Sequence, residues 1–538
     1  MTNQAPAQVF ASHLLATLAK AGVREFYLAP GARSQALAIA AGQLAEAGKI
    51  NLHVHLDERS LAFNALGAAM TSGEPSVIIT TSGTAVANLH PAVLEASHSG
   101  IPLILLTADR PHELRGVGAN QTTNQVGIFA DAVRECIDVP APNGAEGDRT
   151  EAIDLAVSAI STALGFDGVQ PGPVQLNLAF REPLSSLEPN AAKLNPSYQL
   201  PVEFSPKPDF AVLDSSIPTV VIAGANAGEA AVELAESFGW PLFAEPSSGA
   251  RFGANAISNY RYQLDNQTEL AKQIGRVIVF GKPTLSRSVV GLLKNPEVEV
   301  VIIRSKQMGF FDVARRAAFI VDEVSVTDEV DFEWLAKWRQ ADVADLVRGQ
   351  SHDAITRPEL VRQVWAATEE IDRLVLGASR MIREADQHAP AKPIAVFANR
   401  GLAGIDGTVA TATGIASIAR RDNFGGKTRV LLGDLTLLHD AGSLSFNQTS
   451  AVETKLDIQL IVANDFGGSI FTGLEMAKTL DEKSFDQLFR TPQSVDLWHL
   501  AAAYGWQYQL VETVGDLETA LVAEGRVLIE VRLAPAKA

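Results

Sequence analysis

Short runs of apolar, β-branched residues alternate with alanine-rich amphipathic segments along the whole chain. Continuous apolar runs of this length predict strands that are buried on both faces, and the segments between them predict covering helices, as in parallel sheets. The chain is therefore predicted to be an α/β protein made of doubly wound parallel sheets. The runs that predict strands are EFYLAP, SVIITTSG, PLILLTADR, TVVIAGAN, RVIVFGKP, EVVIIRS, IAVFANRG, RVLLGDLT, IQLIVAND and RVLIEVRL.

Two breaks in this pattern divide the chain. Residues 183–208 contain six prolines with little periodicity, which indicates a linker over the surface. Residues 328–357 form a charged, Trp-containing stretch, which is interpreted as a second linker. Three α/β domains are predicted, at residues 1–182, 209–327 and 358–538. The central domain shows no convincing cofactor signature and is interpreted as largely architectural.

Composition narrows the class of protein. Acidic residues outnumber basic ones by 62 to 44, a net charge of −18, which disfavours a nucleic-acid partner. The single cysteine, Cys136, cannot form an internal disulfide, so a cytoplasmic location is expected. The N-terminal residues lack the pattern of a signal peptide. Because the apolar runs fall short of the roughly 20 residues that cross a bilayer, no membrane span is expected.

Charged residues follow several of the predicted strands. In open parallel sheets, ligands bind just beyond the carboxyl ends of the strands. Each such residue is also explained by an exposed salt bridge or a helix cap, but the set together favours a ligand site. The residues that follow strands are Arg33, the pair Asp57 and Glu58, Arg110, Arg400, Asp434 and Asp465.

Asp434 and Asp465 give the sharper signal. Each follows an apolar strand, they lie 31 residues apart, and the second is followed by Gly467 and Gly468. Two carboxylates and a free backbone carbonyl near Gly467 suit Mg²⁺ that holds a diphosphate, because Mg²⁺ prefers hard oxygen ligands and shares them with phosphate. A nucleotide site fits the same pattern, and a Gly-Asp turn is also common as a purely structural feature.

Two other glycine-rich turns have ordinary explanations. The turn at residues 224–228 lacks the order of a dinucleotide-binding fingerprint and is interpreted as packing. In TTSGTAVANL, residues 80–89, the hydroxyls of Ser82 and Thr84 either approach a ligand or cap a helix. These turns carry information only together with other motifs of the chain.

The motifs taken in order resemble those of the thiamine diphosphate enzymes, and among them the 2-succinyl-5-enolpyruvyl-6-hydroxy-3-cyclohexene-1-carboxylate synthases of the menaquinone pathway. The resemblance covers the first and last domains nearly throughout. Its most specific parts are SGTAVANL and the ANRG and GIDG pair. The motifs are APGARS, LDERS, TSGTAVANLHPAV, LTADRPHEL, GANQ, ANRGLAGIDG, LLGDLTLLHD and NDFGGSIF.

The resemblance implies pyrimidine-binding, central and diphosphate-binding domains, with thiamine diphosphate shared between two subunits. The oligomer would be a homodimer at least, and the family suggests a tetramer. Glu58 matches the glutamate that hydrogen-bonds the aminopyrimidine ring, which leaves Asp57 as the helix cap. The metal ligands, for Mg²⁺ or Mn²⁺, would be Asp434, Asp465 and the carbonyl of Gly467. The other implied cofactor residues are Thr81, Ser82, Gly83, Ile405, Gly433, Thr436, Gly468, Ser469 and Ile470.

The implied reaction is decarboxylation of 2-oxoglutarate followed by 1,4-addition of the four-carbon unit to isochorismate. Both substrates are dianions, and arginine side chains suit them because a guanidinium group pairs with a carboxylate through two hydrogen bonds. Ser379 and Arg383 are four residues apart, which predicts that they share a helical face. Arg287 matches a basic position more loosely. The implied substrate residues are Arg33, Arg110, Gln121, Ser379, Arg383 and Arg400.

Three positions depart from the wider family, and two alternatives remain open. The turn after Asp434 is GDL rather than GDG, Asp465 stands where many relatives carry Asn, and Ala32 replaces a Ser. One alternative is another thiamine diphosphate carboligase, such as an acetolactate synthase, although a small monoanionic acceptor would not require so many arginines. The other is a catalytically inactive binding protein on the same fold, against which the retention of Glu58 argues.

Overall fold

The structure, a computed structural model, describes residues 4–166, 168–186, 188–307, 309–327, 332–346, 355–446 and 455–534. Its contacts group the chain into two compact units. Unit 1 comprises residues 1–205, 409–423 and 440–456, and unit 2 comprises residues 206–408, 424–439 and 457–538.

A six-stranded parallel sheet forms the centre of unit 1. Its strands are β1 (Glu25–Leu28), β2 (Asn51–Val54), β3 (Ser76–Thr80), β4 (Leu103–Asp109), β5 (Glu135–Val139) and β6 (Pro173–Ala179). They lie in the order β2-β1-β3-β4-β6-β5. The helices between them are α1 (Pro6–Lys20), α2 (Gln35–Glu46), α3 (Glu58–Ser72), α4 (Thr84–Ala87), α5 (His90–Ser99) and α6 (Gly147–Leu164).

Apolar helix faces cover both sides of this sheet. Helices α1, α2 and α6 bury Leu14, Ala40 and Ile160 in one cluster, and α3 and α5 bury Leu66 and Val93 in another. Strands β3, β4 and β6 are buried along their whole length. Two covered faces explain why these strands read as continuous apolar runs rather than alternating ones.

A five-stranded parallel sheet follows in unit 2. Its strands are β8 (Thr219–Ala223), β9 (Leu242–Ala244), β10 (Arg276–Phe280), β11 (Glu299–Ile303) and β12 (Ala317–Val321), in the order β12-β11-β10-β8-β9. Two further strands, β7 (Phe210–Leu213) and β13 (Glu323–Val326), pair with each other. The helices of this part are α7 (Ala230–Ser237), α8 (Tyr260–Asp265), α9 (Arg287–Lys294) and α10 (Glu333–Leu346).

The last sheet, also in unit 2, has six parallel strands. They are β14 (Arg373–Leu376), β15 (Ala395–Phe397), β16 (Thr428–Gly433), β17 (Ile458–Asn464), β18 (Gln507–Val511) and β19 (Arg526–Arg532), in the order β15-β14-β16-β17-β19-β18. Numbered from its own first strand, this order is the same as that of the first sheet. The helices are α11 (Arg357–Ala367), α12 (Arg380–His388), α13 (Thr408–Arg421), α14 (Asp434–His439), α15 (Met476–Thr479), α16 (Glu482–Phe485), α17 (Leu497–Ala503) and α18 (Val514–Leu521).

Helices α3 and α13 touch through glycine within unit 1. A Cβ on Gly67 would lie 2.0 Å from the backbone oxygen of Thr411, and a Cβ on Gly414 would lie 2.0 Å from that of Asn64. Only glycine permits such close backbone approach. This contact explains why α13 groups with unit 1 although the last sheet belongs to unit 2.

The predicted α/β class with parallel sheets is confirmed, and the three domain boundaries stay a prediction. The second predicted linker is described only in part, because residues 328–331 and 347–354 lie outside the described residues. Between these stretches the chain forms α10. Within the described part of the chain, no helix combines the length and apolar character that a bilayer crossing requires.

Candidate active site

Asp434 and Asp465 follow adjacent strands of the last sheet and meet at its carboxyl edge. β16 pairs with β17, Asp434 is the first residue of α14, and Asp465 directly follows β17. The backbone amide of Gly467 donates to Oδ2 of Asp434 at 2.8 Å, which closes the turn after β17 against α14. The positions at strand ends thus bring the two carboxylates into one site.

These carboxylates border a cavity of about 140 Å³. Every cofactor residue that the resemblance implies in unit 2 lines this cavity, and so does Ser379. Their arrangement around one space is an observation, whereas their roles stay a prediction. The predicted residues along the cavity are Ser379, Ile405, Gly433, Asp434, Thr436, Asp465, Gly467, Gly468, Ser469 and Ile470.

The electrostatics of the two carboxylates suit a cation. Burial raises the pKa of Asp434 to about 6, and the neighbouring Asp465 adds to the rise. Asp465 is paired with Arg357, whose Nη2 and Nε lie 2.7 and 2.9 Å from Oδ2. Among the described residues, no group of three His, Cys, Asp or Glu side chains could hold a metal. A metal here would therefore need ligands from the backbone and from a bound anion as well.

Two glycines shape the same cavity. Gly467 has a φ of 125°, and a Cβ there would lie 2.3 Å from the backbone oxygen of Arg490, so a side chain is excluded on both grounds. A Cβ on Gly433 would meet no atom within 4 Å. Because Gly433 borders the cavity, such a side chain would extend into the open space next to Asp434. The glycines thus keep room for a ligand at the strand ends.

A second cavity, of about 980 Å³, shares Arg380 and Ile470 with the first. Arg383 and Arg287 also border it. Burial lowers the pKa of Arg383, and the positive charge of nearby Arg400 lowers it further. Closely spaced, partly desolvated guanidinium groups favour an anionic ligand. An anion reduces the repulsion between the positive charges and replaces the hydration that burial removes.

Ser379 is not part of a helical face with Arg383. Its φ is 77°, which is incompatible with a helix, so α12 begins at Arg380 and Ser379 is its N-cap. The prediction of a shared face is therefore wrong. A different contact joins the two residues, because Nη1 of Arg383 donates to the backbone oxygen of Ser379.

In unit 1, three of the predicted residues form one hydrogen-bonded group at the ends of β3 and β4. Arg110 donates to the Ser82 hydroxyl, which in turn donates to the backbone oxygen of Gln121 at 2.8 Å. The side-chain amide of Gln121 donates back to the Ser82 backbone oxygen at 3.0 Å. Arg33 is near enough to Arg110 for the two positive charges to interact. Burial lowers the pKa of Arg33, and the charge of Arg110 lowers it further. These residues form a second cluster that contains closely spaced guanidinium groups.

In the turn after β3, Ser82 does not have the capping role that is one of its two interpretations. The N-cap of α4 is Gly83, with a φ of 83°, and its amide donates to Oε1 of Gln125 at 2.9 Å. Ser82 therefore does not cap this helix. Thr81 packs closely against Gly31, where a Cβ would lie 2.2 Å from the Thr81 Cβ. The backbone conformation of this turn places the Ser82 hydroxyl where it accepts a hydrogen bond from Arg110.

Glu58 begins α3, next to the residue that caps the helix. Oδ1 of Asp57 accepts from the backbone amide of Arg59 at 2.9 Å, which confirms the capping interpretation of Asp57. The Glu58 carboxylate accepts a hydrogen bond from the side-chain amide of Asn88 at 3.2 Å. Glu58 is half-buried. Its predicted role toward a cofactor stays a prediction.

Sequence reasoning missed three charged residues of unit 2. Arg380 borders both cavities and donates to the backbone oxygen of Ser469 at 3.0 Å. Its position directly after Ser379 was the available signal. Arg357 reaches Asp465 across 108 residues and leaves no local signal. The third residue, Glu245, follows β9, so the rule of strand ends applies to it once that short strand is recognised.

Glu245 is a buried acid with an unusual pKa. It is 1% exposed, and its Oε1 accepts the backbone amide of Leu285 at 2.8 Å. Burial raises its pKa to about 8, and the nearby Asp386 adds to the rise, while the Leu285 amide and Arg400 oppose it. Near neutral pH this carboxyl group therefore keeps its proton.

Comparison with known proteins gives one family model and a set of full-length relatives. Residues 9–128 match the model described as "Thiamine pyrophosphate enzyme, N-terminal TPP binding domain". A 2-succinyl-5-enolpyruvyl-6-hydroxy-3-cyclohexene-1-carboxylate synthase from Leifsonia xyli subsp. xyli is 44% identical over 98% of this chain and 96% of its own length. A synthase of the same name from Clavibacter michiganensis subsp. michiganensis is 43% identical over 97% of this chain and 95% of its own length. Another, from Arthrobacter sp., is 42% identical over 96% of this chain and 87% of its own length.

Replacing Glu245 by glutamine is expected to remove a loss of stability at higher pH. Its pKa of about 8, against an ordinary 4.5, means that the folded chain keeps a proton that the unfolded chain loses. The contribution to the free energy of unfolding is complete below about pH 4.5 and is lost as the pH rises to about 8. Glu245→Gln lacks this decline. Its melting temperature relative to the wild type should rise over that range, and parallel melting curves would contradict the assignment.

Proposed function

The chain belongs to the 2-succinyl-5-enolpyruvyl-6-hydroxy-3-cyclohexene-1-carboxylate synthase family, and we propose that it catalyses the reaction for which that family is named. In this reaction 2-oxoglutarate loses CO₂, and the remaining four-carbon unit adds to isochorismate in a 1,4-addition, a step of menaquinone biosynthesis. The observation that carries the proposal is the small cavity at the carboxyl ends of β16 and β17, which all of the predicted cofactor residues of unit 2 line.

The residues around the small cavity fit thiamine diphosphate with Mg²⁺ or Mn²⁺. Asp434, Asp465 and the carbonyl of Gly467 are the proposed metal ligands. That carbonyl accepts the Ser469 amide at 2.8 Å and has a second lone pair for a cation. When bound, thiamine diphosphate supplies a nucleophilic carbon that adds to a 2-oxo acid and stabilises negative charge after CO₂ leaves. The proposed diphosphate neighbours are Gly433, Thr436, Gly468, Ser469 and Ile470, with Ile405 as the apolar support.

Glu58 is the proposed proton-holding residue. Its carboxyl group would hold a proton at a ring nitrogen of the aminopyrimidine, and such a hydrogen bond is strong where water is excluded. Asp57 fixes the start of α3 and thereby the position of Glu58. Thr81, Ser82 and Gly83 are proposed to border the pyrimidine. Because pyrimidine and diphosphate would bind to different subunits, we propose a homodimer as the smallest active form and a tetramer as the assembly.

The arginine groups are proposed to bind the two dianionic substrates. In unit 1 these residues are Arg33, Arg110 and Gln121, and in unit 2 they are Ser379, Arg383 and Arg400. The chain carries a net charge of −18, so dianions require local positive charge. The lowered pKa values of Arg33 and Arg383 reflect the partial desolvation of these guanidinium groups. Carboxylates of a substrate would replace the lost hydration.

The test of the function is consumption of isochorismate by the purified protein, followed by ultraviolet absorbance. Thiamine diphosphate, Mg²⁺ and 2-oxoglutarate are supplied together and then omitted one at a time. Loss of isochorismate only in the complete mixture, with CO₂ released in step, is the expected result. Release of CO₂ without loss of isochorismate would indicate a carboligase with another acceptor. No reaction from an intact, cofactor-bound protein would indicate a catalytically inactive chain.

Replacing Glu58 by glutamine should abolish most turnover while cofactor binding persists. Glutamine keeps the shape of the side chain but cannot hold the proton, and loss of such a group lowers kcat by about a hundredfold or more. Binding of thiamine diphosphate, measured by calorimetry with Mg²⁺ present, should change little. The control is Glu46→Gln, at an exposed position on α2. Near-wild-type kcat for Glu58→Gln would remove Glu58 from the mechanism.

Replacing Arg383 by alanine should weaken the use of substrates more than the binding of cofactor. Loss of a charge-assisted hydrogen bond to a carboxylate corresponds to a rise in KM of about tenfold to a hundredfold. Steady-state kinetics with each substrate varied would measure this rise, and calorimetry would measure cofactor affinity. The matched control is Arg420→Ala, at an exposed position on α13. An equal loss of cofactor affinity would contradict the assignment.

A further inference from the structure

Glu245 takes no part in the proposed reaction, yet it is a fully enclosed acid of the central sheet. It follows β9 at the carboxyl edge, where its own amide donates to the Ala223 oxygen at 2.8 Å. Its Oε1 accepts the Leu285 amide at 2.8 Å, and Oε2 has no hydrogen-bond partner among the described residues. An acid in this position needs an explanation, because burial of a carboxyl group is costly.

Glu245 accepts the amide of Leu285, which lies in the segment from Lys282 to Arg287. This segment contacts the loop after β15, which contains Arg400 and Gly401. Nη2 of Arg400 donates to the hydroxyl of Thr284 at 2.6 Å, and Nζ of Lys282 donates to the backbone oxygen of Gly401 at 2.6 Å. The Leu285 side chain belongs to the apolar cluster of the last sheet. One short stretch is therefore fixed by Glu245 at Leu285 and touches Arg400 at the adjacent residue.

The same stretch also places the start of α9. The Ser286 hydroxyl accepts the Val289 amide at 3.2 Å and caps the helix. Arg287 is its first residue and borders the larger cavity together with Thr284 and Arg383. A shift of the Leu285 backbone would therefore move both the Thr284 hydroxyl and the base of Arg287.

We propose that Glu245 is a positioning residue for the substrate arginines, which acts by anchoring the Leu285 amide so that Thr284 holds Arg400 in place. The inference rests on the proposed function for the identity of the substrates. Glu245 acts here as a neutral hydrogen-bond acceptor, because burial and the neighbouring Asp386 keep it protonated. Arg400 is 4% exposed, so its guanidinium direction depends on such fixed partners.

The first experiment compares Glu245→Gln and Glu245→Ala in the thiamine diphosphate- and Mg²⁺-loaded protein. Glutamine retains an acceptor for the Leu285 amide, whereas alanine removes it. We expect Glu245→Ala to raise the KM for at least one of the two substrates by about tenfold, with kcat and cofactor affinity changed far less. Glu245→Gln should restore KM to near the wild-type value. The control is Glu233→Ala, at an exposed position on α7.

A second readout does not depend on turnover. Hydrogen–deuterium exchange of the peptide that contains Leu285 should be faster in Glu245→Ala than in the wild type, and unchanged in Glu245→Gln. Wild-type KM values in Glu245→Ala, or unchanged exchange in that variant, would overturn the inference. If the wild type shows no turnover but the exchange differs as expected, the proposed function fails while the anchoring of this segment is supported.

A third variant tests the link to Arg400 even if Glu245→Ala does not fold. Thr284→Val keeps the shape of the side chain and removes only the hydroxyl that Arg400 contacts. We expect the KM for at least one substrate to rise by about threefold to tenfold, with normal exchange at Leu285. Unchanged KM values for both substrates would overturn the proposed path from Glu245 to Arg400.

Discussion

Burial of parallel strands on both faces is the constraint on which the placement of charged groups depends in each unit. A strand that is covered on both sides can bury a charged side chain only where a partner compensates it, as Asp372 does for Arg429 in β16, so the other charged groups are placed where the strands end. Asp434, Asp465, Arg110 and Glu245 all follow this rule, in three different sheets. Each is held by a rigid strand on one side and a turn or helix on the other. Each of these groups is therefore positioned by a regular element of its own unit.

A second consequence concerns charge. The chain is strongly acidic, yet guanidinium groups are brought close to one another in each unit: Arg33 lies near Arg110, and Arg383 lies near Arg400. Such grouping costs free energy in the ligand-free protein, because like charges repel and burial removes their hydration, and Asp109 near Arg33 and Asp386 near Arg383 offset part of that cost. The dianionic substrates of the proposed reaction would reduce both the repulsion and the loss of hydration. The proposed metal site has the opposite arrangement, since Asp434 and Asp465 are two buried carboxylates and Arg357 pairs with Asp465.

Much of this arrangement can be predicted from the sequence, because its causes are local. Continuous apolar runs predict the buried strands, and strand ends predict Asp434, Asp465 and Arg110. Other features depend on contacts between distant residues. Arg357 reaches Asp465 across 108 positions, and no pattern near either residue reveals the pair. The prediction for Ser379 fails for a different reason, since the positive φ that excludes it from α12 is set by its surroundings rather than by residue type.

The central sheet also carries polar groups at the carboxyl ends of its strands, although it contains none of the motifs of the first and last sheets. Its sequence indicates a largely architectural role, because none of its loops carries a recognisable cofactor signature. Its strands nevertheless end in the same way as those of the other sheets, with Glu245 directly after β9 and the segment from Lys282 to Arg287 shortly after β10. This segment contacts the loop of Arg400 through two hydrogen bonds. The central sheet thus contributes contacts that position a guanidinium in the loop after β15, because a buried arginine needs fixed acceptors from the segments that pack against it.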